Sequence, residues 1–470
     1  MAIVPIPINL GSMQNVDAFE HGNTGTAALL KNMLINDAGS NVARPGLQSF
    51  VDLGSSPVIG LYPFGNFLVA VTDDRKIYSI TESGGKAEIQ YATLGGSNRP
   101  VFAEDGTYLA IAGGTTPQRW AGTIATTATE AMPGSPPSCT HISYLDGYWI
   151  LHLVSDQELR WAGPTSSARE TWSSANFFQA EGFPDDIIAS RVFNRTLFAF
   201  GKTSTETFYN YGDTGNPFKR TFVMDVGCSA PYSLVQADNT LWWLDHDRRF
   251  VKMSGQTPQI ISTPYDRVLK RFGSVSDCFG NVINIDGFYL IVWHFPIEER
   301  TLVYDYKQNY WTEWDGYANG ESSEIDLNSY CYSQLWNKHF VGSATDGTIY
   351  ELSFDALLDG SAVKRLIRRT GYISHGNRNR KRSNYYLFDV KYGLGESGGT
   401  EPVMQIRVND DNQGWSDPHL IGLGFEGDKQ EPIVVNMRGI YRKRQIEVQV
   451  TDAVDFVLNG IEEDVEMMRS

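Results

Sequence analysis

An internal period of 41 residues constrains this chain more than any other feature. Gly65, Gly106 and Gly147 stand 41 residues apart, as do Leu68, Leu109 and Ile150. The tetrapeptide Arg-Trp-Ala-Gly occurs at 119–122 and again at 160–163, also 41 apart. Each glycine sits in a turn that opens an apolar strand: Gly65-Asn66 before FLVAV, Asp105-Gly106 before TYLAIAG, Asp146-Gly147 before YWILHLV. The pattern continues more loosely with Asn194-Arg195, Asn239-Thr240, Asp286-Gly287 and Asn337-Lys338, each before a further apolar run. Most are followed by a polar loop and a second strand ending in an aromatic, as in RKIYSI, TETFYN and TLVYDY. Asp-Gly and Asn-X turns mark tight hairpins, because these residues tolerate the positive φ that such turns require.

Seven units spaced by 41 to 50 residues fit one four-stranded blade each, in the range of propeller repeats. The fold class expected is all-β: a β-propeller, with seven blades preferred over six, followed by a C-terminal β-sandwich. A pair of ordinary sandwiches also places turns at short intervals, but it does not account for a shared period and a repeated tetrapeptide. The aromatic content of 12% and the 45 glycines suit strands and turns. At 470 residues the chain exceeds one core. The division expected is a partly stranded N-terminal strap at 1–55, a propeller at 56–360, a basic linker or docking loop at 361–383, and a sandwich at 384–470. The last rests on the alternating runs YYLFDVKYG, PVMQIRVND, QIEVQVTD and VDFVLNGIEEDVE. One short helix is expected from Thr263 to Gly273, with Thr263 as N-cap, Pro264 at its first position, and Val268, Leu269 and Phe272 on one apolar face.

Between 364 and 382 the chain carries eight cations and no acid: Lys364, Arg365, Arg368, Arg369, Arg378, Arg380, Lys381 and Arg382. Three uses stay open for them: phosphate binding, docking on an acidic protein partner, or a solvated loop. The net charge of −16 argues against a protein that grips nucleic acid over its whole surface. It serves solubility, or forms an acidic wall past which DNA slides without sticking.

Little in the chain carries chemistry. Cys139, Cys228, Cys278 and Cys331 form no C-x-x-C pair and read as buried free thiols. The eight histidines are scattered without metal-ligand spacing, and no nucleophile elbow or phosphate loop occurs, so no catalytic residue, metal or cofactor is expected. The start MAIVPIPINLG lacks the form of a signal peptide, and no run is long enough to span a membrane, so stable membrane insertion is not expected. The enzyme alternative is a glycoside hydrolase, which needs two facing carboxylates. Asp185/Asp186 and Glu298/Glu299 are adjacent pairs, which on a strand point to opposite faces. The segment from Asn409 to Trp415 is similar to an Asp-box turn without its hydroxyl residue, and such turns are structural.

A family resemblance rests on the stretch from Phe200-Gly201 through Glu206, Phe208-Tyr209 and Gly212-Asp213 to Pro217-Phe218, followed by Gly227-Cys228 and Ala230-Pro231. It resembles the central signature of the packaged-DNA stabilisation proteins of short-tailed bacteriophages, also called tail accessory, hub or nozzle proteins. Asn32-Met33-Leu34 with Arg44-Pro45-Gly46-Leu47 resembles their N-terminal strap, and Ile261-Ser262-Thr263 a segment after their fifth repeat. Asp389-Val390, Trp415-Ser416, Arg438-Gly439, Arg442, Val450-Thr451-Asp452 and Asp464-Val465-Glu466 resemble their closing domain. The resemblance implies a virion tail protein, synthesised in the host cytoplasm and assembled as a homo-oligomeric ring of six copies below the portal and head-to-tail adaptor. It implies closure of the tail tube, retention of packaged DNA, attachment of a tail needle, tailspike or fibre, and transient contact with double-stranded DNA during ejection. A single propeller channel is too narrow for a duplex, so the conduit would lie between subunits. The alternative function is a propeller that binds or hydrolyses host surface polysaccharide.

Overall fold

The computed structural model describes residues 2–13, 28–89, 94–122, 128–153, 156–182, 185–396, 399–428 and 433–468. Seven four-stranded antiparallel blades succeed one another along the chain. Their first strands are Val58–Phe64, Val101–Glu104, Cys139–Leu145, Ile187–Phe193, Val235–Ala237, Phe279–Ile285 and Ser329–Ser333. All seven line one central channel. The seven turns marked in the sequence are the seven hairpins that join first to second strand. Their residues take the positive φ expected of them: Gly65 58°, Gly106 84°, Asp146 50°, Asn194 46°, Asn239 54°, Asp286 46° and Asn337 52°.

Blades pack face to face through apolar layers. Leu68 and Ala70 of blade one meet Phe340 and Ile349 of blade seven, which closes the ring. Trp242 and Phe250 of blade five meet Trp293 and Trp311 of blade six, with the Phe250 and Trp293 rings 4.0 Å apart. The 41-residue period gives blade spacing but not facing. Leu68 and Leu109 face the preceding blade, whereas Ile150 packs with Leu197 and Phe218 of the following one. The hairpin between Phe64 and Phe67 and that between Glu104 and Leu109 centre 41 residues apart, whereas the next, between Leu145 and Tyr148, centres 40 further on, one residue out of step with the period.

The sandwich draws on both ends of the chain. One sheet runs from Met33–Ile35 through Asn41–Ala43, Val457–Met467 and Lys381–Val390, with Ala2–Ile6 beside Val457–Met467. The facing layer extends blade six: Tyr310–Trp314 pairs in parallel with Leu29–Lys31, then Leu366–Arg369, Arg444–Val450, Val403–Asp410 and His419–Gly422 follow. Leu30, Met33, Tyr386, Phe388, Met404, Ile406, Val448 and Ile461 fill the space between.

The segment 1–55 is therefore not one separate strap. Gly46–Asp52 pairs antiparallel with Thr348–Ser353 and supplies the fourth strand of blade seven, while the described strands before it enter the sandwich and its seam. The expected helix begins as a 3-10 turn, Thr263–Tyr265, and becomes α at Asp266–Arg271, so Thr263 lies inside it. Leu269 and Phe272 are buried in the layer between blades five and six, and Val268 packs against it. All four cysteines are free and buried. Among the described residues no helix is long and apolar enough to cross a membrane.

Candidate functional site

The basic segment crosses from one sheet of the sandwich to the other and is not a linker or docking loop along its length. Leu366–Arg369 is a central strand between Leu29–Lys31 and Arg444–Val450, and Lys381–Val390 pairs with Val457–Met467. Three of the eight cations are inside the protein: Lys364, Arg368 and Lys381 are 5%, 1% and 0% exposed. Backbone carbonyls solvate them. Lys364 Nζ donates to the carbonyls of Arg44 at 2.9 Å and Ala356 at 3.1 Å. Lys381 Nζ donates to the carbonyls of Asn377, Asn379 and Arg442 at 2.7, 2.9 and 2.8 Å. Arg368 donates Nη1 to the Leu10 carbonyl at 2.6 Å, while its Nε and Nη2 are buried without a partner among the described residues. Burial lowers the pKa of all three, Lys364 to about 7 and Arg368 to about 9. These side chains fasten the fold and are unavailable to a partner.

Two more are committed at half-buried positions. Arg369 grips Glu447 through Nε at 2.9 Å and Nη2 at 2.6 Å, and lies 5.0 Å over the Trp415 ring. Arg407 pairs with the same carboxylate and covers the same ring. Arg365 pairs with Asp315 at 3.7 Å and lies over Tyr317. Trp415 closes the turn that is similar to an Asp box, where Asp411 accepts from the backbone N–H groups of Arg442 and Lys443 at 2.9 Å each. That turn is structural.

Arg378, Arg380 and Arg382 are exposed, and no side-chain hydrogen bond or ion pair holds them among the described residues. The pairing of Lys381–Ser383 with Gly439–Tyr441 brings Arg438 and Arg442, both exposed, to the same end of the sandwich. Some sixty residues of chain separate the two groups, so composition marked only the first. The exposed basic patch thus has five members, of which three were legible as a run.

The seam between propeller and sandwich is a buried polar network. Arg44 grips Asp359 with both terminal nitrogens, at 2.9 and 2.6 Å, and donates Nε to Asn32 Oδ1 at 2.9 Å. Asn32, held at φ 54°, donates to Asp315 Oδ1, which Lys31 approaches from the other side at 2.9 Å on Oδ2. A bidentate guanidinium between an amide and a carboxylate fixes orientation as well as distance.

The channel encloses about 640 Å³. Arg99, at the start of blade two, reaches to Asn328 before blade seven, donating to Oδ1 at 2.9 Å, and lies 3.7 Å over the Phe279 ring of blade six. Tyr232 is bridged to Phe279 and stacks on His141 of blade three at 5.6 Å. These side chains bar one end, so a duplex does not thread this propeller. Among the described residues Glu104 is the one carboxylate lining this cavity, and Asp186 the one lining its neighbour, where Lys202 pairs with it at 3.4 Å. Neither cavity offers the facing pair that glycoside hydrolysis needs. Among the described residues no group of three or more His, Cys, Asp or Glu is placed to hold a metal.

Fold and site together define a seven-bladed propeller joined to a sandwich by a shared sheet and a buried polar seam, in which Lys364, Arg368, Arg369 and Lys381 are committed to the fold. The family model described as "Bacteriophage P22 Gp10, beta-propeller" matches residues 67–357, well over half the chain. The chain belongs to that family: it is a bacteriophage β-propeller protein of the packaged-DNA stabilisation class. Solved structures similar to it include the WD40 β-propeller domain of Doa1, at 12% identity and TM-score 0.43, covering 66% of this chain and 97% of that one. The computationally designed protein Ika8 is similar at 12% identity and TM-score 0.38, covering 65% of this chain and 99% of that one. No curated protein matches.

Proposed function

We propose that this protein is a structural tail hub of a short-tailed phage, a ring of identical copies below the portal and head-to-tail adaptor. The ring closes the tail after packaging, retains the DNA, carries the needle, tailspike or fibre, and surrounds the path of ejection. The observation that carries this reading, beyond the family, is the barred propeller channel. A protein of this family that stabilises DNA without threading it must act as a wall, and a wall around a duplex requires several copies. Head-to-tail contacts that close on themselves generate such a ring. A net charge of −16 keeps the wall from holding phosphates, and the exposed patch of Arg378, Arg380, Arg382, Arg438 and Arg442 supplies one basic surface for an acidic neighbour.

The test is the mass of the purified protein alone and after mixing with a portal–adaptor complex. Assembly of six copies on the complex is expected. A protein that stays apart from the complex, yet shortens a host polysaccharide, would establish the enzyme reading instead.

A further inference from the structure

The outer face of the sandwich sheet is uncovered where the arginines gather. Along residues 434–442 the side chains alternate: Val435, Met437 and Tyr441 are buried, while Val434, Asn436, Arg438, Ile440 and Arg442 are exposed. Ile440, 54% exposed, pairs with Arg382, so one aliphatic side chain stands among three guanidinium groups on a single face. Glu466, opposite Arg382 in register, dilutes that charge without cancelling it.

Blade six carries a counterpart of opposite sign. Its turn Pro296–Glu298 exposes Ile297 at 65%, and Glu298 and Glu299 follow. Asp277 accepts from the Ile297 N–H at 2.7 Å, which brings a third carboxylate to the same turn. Glu324 and Asp326 precede the first strand of blade seven and lie close by. Burial first, then the charges of Glu299, Asp326 and Asp277, raises the pKa of Glu324. No ion pair reaches these five carboxylates among the described residues, so their mutual repulsion stands uncompensated.

The two surfaces lie at opposite ends of one continuous sheet. Next to the turn, Thr301 pairs with Trp314; then Glu313 pairs with Lys31, Lys31 with Ile367, and Ile367 with Gln449. From Gln449 the strand runs five residues back to Arg444, away from the turn, a distance of about 17 Å, and Arg442 lies beyond it. A two-fold pair of copies through either surface sets like charge on like charge, which repels. A head-to-tail contact joins opposite charges and leaves one free surface at each end, as a heterologous interface does. Copies with a net charge of −16 repel one another overall, so attraction between them needs a local basic face.

We propose that the arginine face of the sandwich docks on the acidic end of blades six and seven of a second copy of this chain, with Ile440 and Ile297 at the centre of the contact. The contact is the repeating step of the ring described above and rests on that reading.

The experiment measures the mass of the full chain by sedimentation, alone and on the portal–adaptor complex. The basic-face variant carries Arg382→Glu and Arg438→Glu, and the acidic-face variant Glu299→Lys and Glu324→Lys. None of the four side chains makes an ion pair in the described fold, so both variants should melt with the wild type. Each alone should weaken association between copies by about tenfold or more, because reversal sets like charges together. An equimolar mixture of the two should regain assembly in alternating order, since every contact again joins opposite charges. A chain with all four substitutions should regain it by itself. Wild type and either variant assembling equally well into six copies would overturn the contact and leave the ring standing. A loss that neither the mixture nor the fourfold variant restores would also overturn the contact. A wild type that gathers no second copy, alone or on the complex, would overturn the ring reading and the contact with it.

Discussion

Arg44 and Lys364 are neighbouring buried cations held in opposite ways. Arg44 faces a carboxylate that accepts both of its terminal nitrogens, whereas Lys364 is held by carbonyls alone. A lysine at position 44 cannot reproduce the fork, and Asp359 would stay buried with one weak partner. Arg44→Lys should cost about 2–4 kcal/mol in chemical denaturation, near the lower end for a broken buried pair. A loss below about 0.5 kcal/mol would mean that the seam tolerates a point charge. Lys364 gives a pH test. Burial first, then the charge of Arg44, brings its pKa in the fold to about 7, below the unfolded value of 10.5. Between these values the unfolded chain binds the proton and the fold does not, so stability rises with pH across that window. The gain in unfolding free energy from about pH 7 to about pH 9 should be smaller in Lys364→Met than in the wild type. An unchanged gain would show that another group titrates there.

At the scale of elements, ring closure rests on a strand that lies next to the sandwich in sequence but to the propeller in space. Gly46–Asp52 completes blade seven, and Leu47 packs in the layer between blades six and seven. A Cβ at Gly46 would collide with the carbonyls of Ala356 and Leu358. Gly46→Val should destabilise by about 3 kcal/mol or more, as overpacking against backbone does. Limited proteolysis should then cut first within residues 46–52 or 348–353, and cleavage elsewhere would assign closure to another contact. The hairpins were legible because turn chemistry is local: Asp146, Asn194 and Asp286 have the φ that their residue types favour. Facing was not. The first hairpins of blades one and two centre 41 residues apart and those of blades two and three 40, and a slip of one sends each side chain to the opposite face.

The whole molecule joins a seven-bladed ring to a sandwich through one continuous sheet and a buried polar seam, leaving the arginine patch exposed where Lys381–Ser383 pairs with Gly439–Tyr441. Replacing Arg378, Arg380 and Arg382 together by Ser should leave stability within about 0.5 kcal/mol, since nothing in the described fold depends on them. Assembly with the portal–adaptor complex should weaken, and the salt dependence of that assembly should flatten. Ring formation with unchanged salt dependence would remove the patch from the interface. The same substitutions at Lys364, Arg368 and Lys381 would remove buried contacts of the fold and report nothing about docking.

The sequence by itself determined the propeller class, the position of every first hairpin and the alternating strands of the sandwich, and it favoured seven blades over six. Period, turn residues and apolar alternation act over a few neighbouring residues and leave their mark in order along the chain. Only the tertiary structure decided which of eight clustered cations stay outside. Burial of a lysine or arginine depends on whether distant carbonyls or carboxylates converge on it, as those of Arg44, Ala356 and Arg442 do here. Only the tertiary structure, too, gathered Arg99, Glu104, His141 and Arg191 around one channel, because the seven strands that line it come from seven separate stretches of chain.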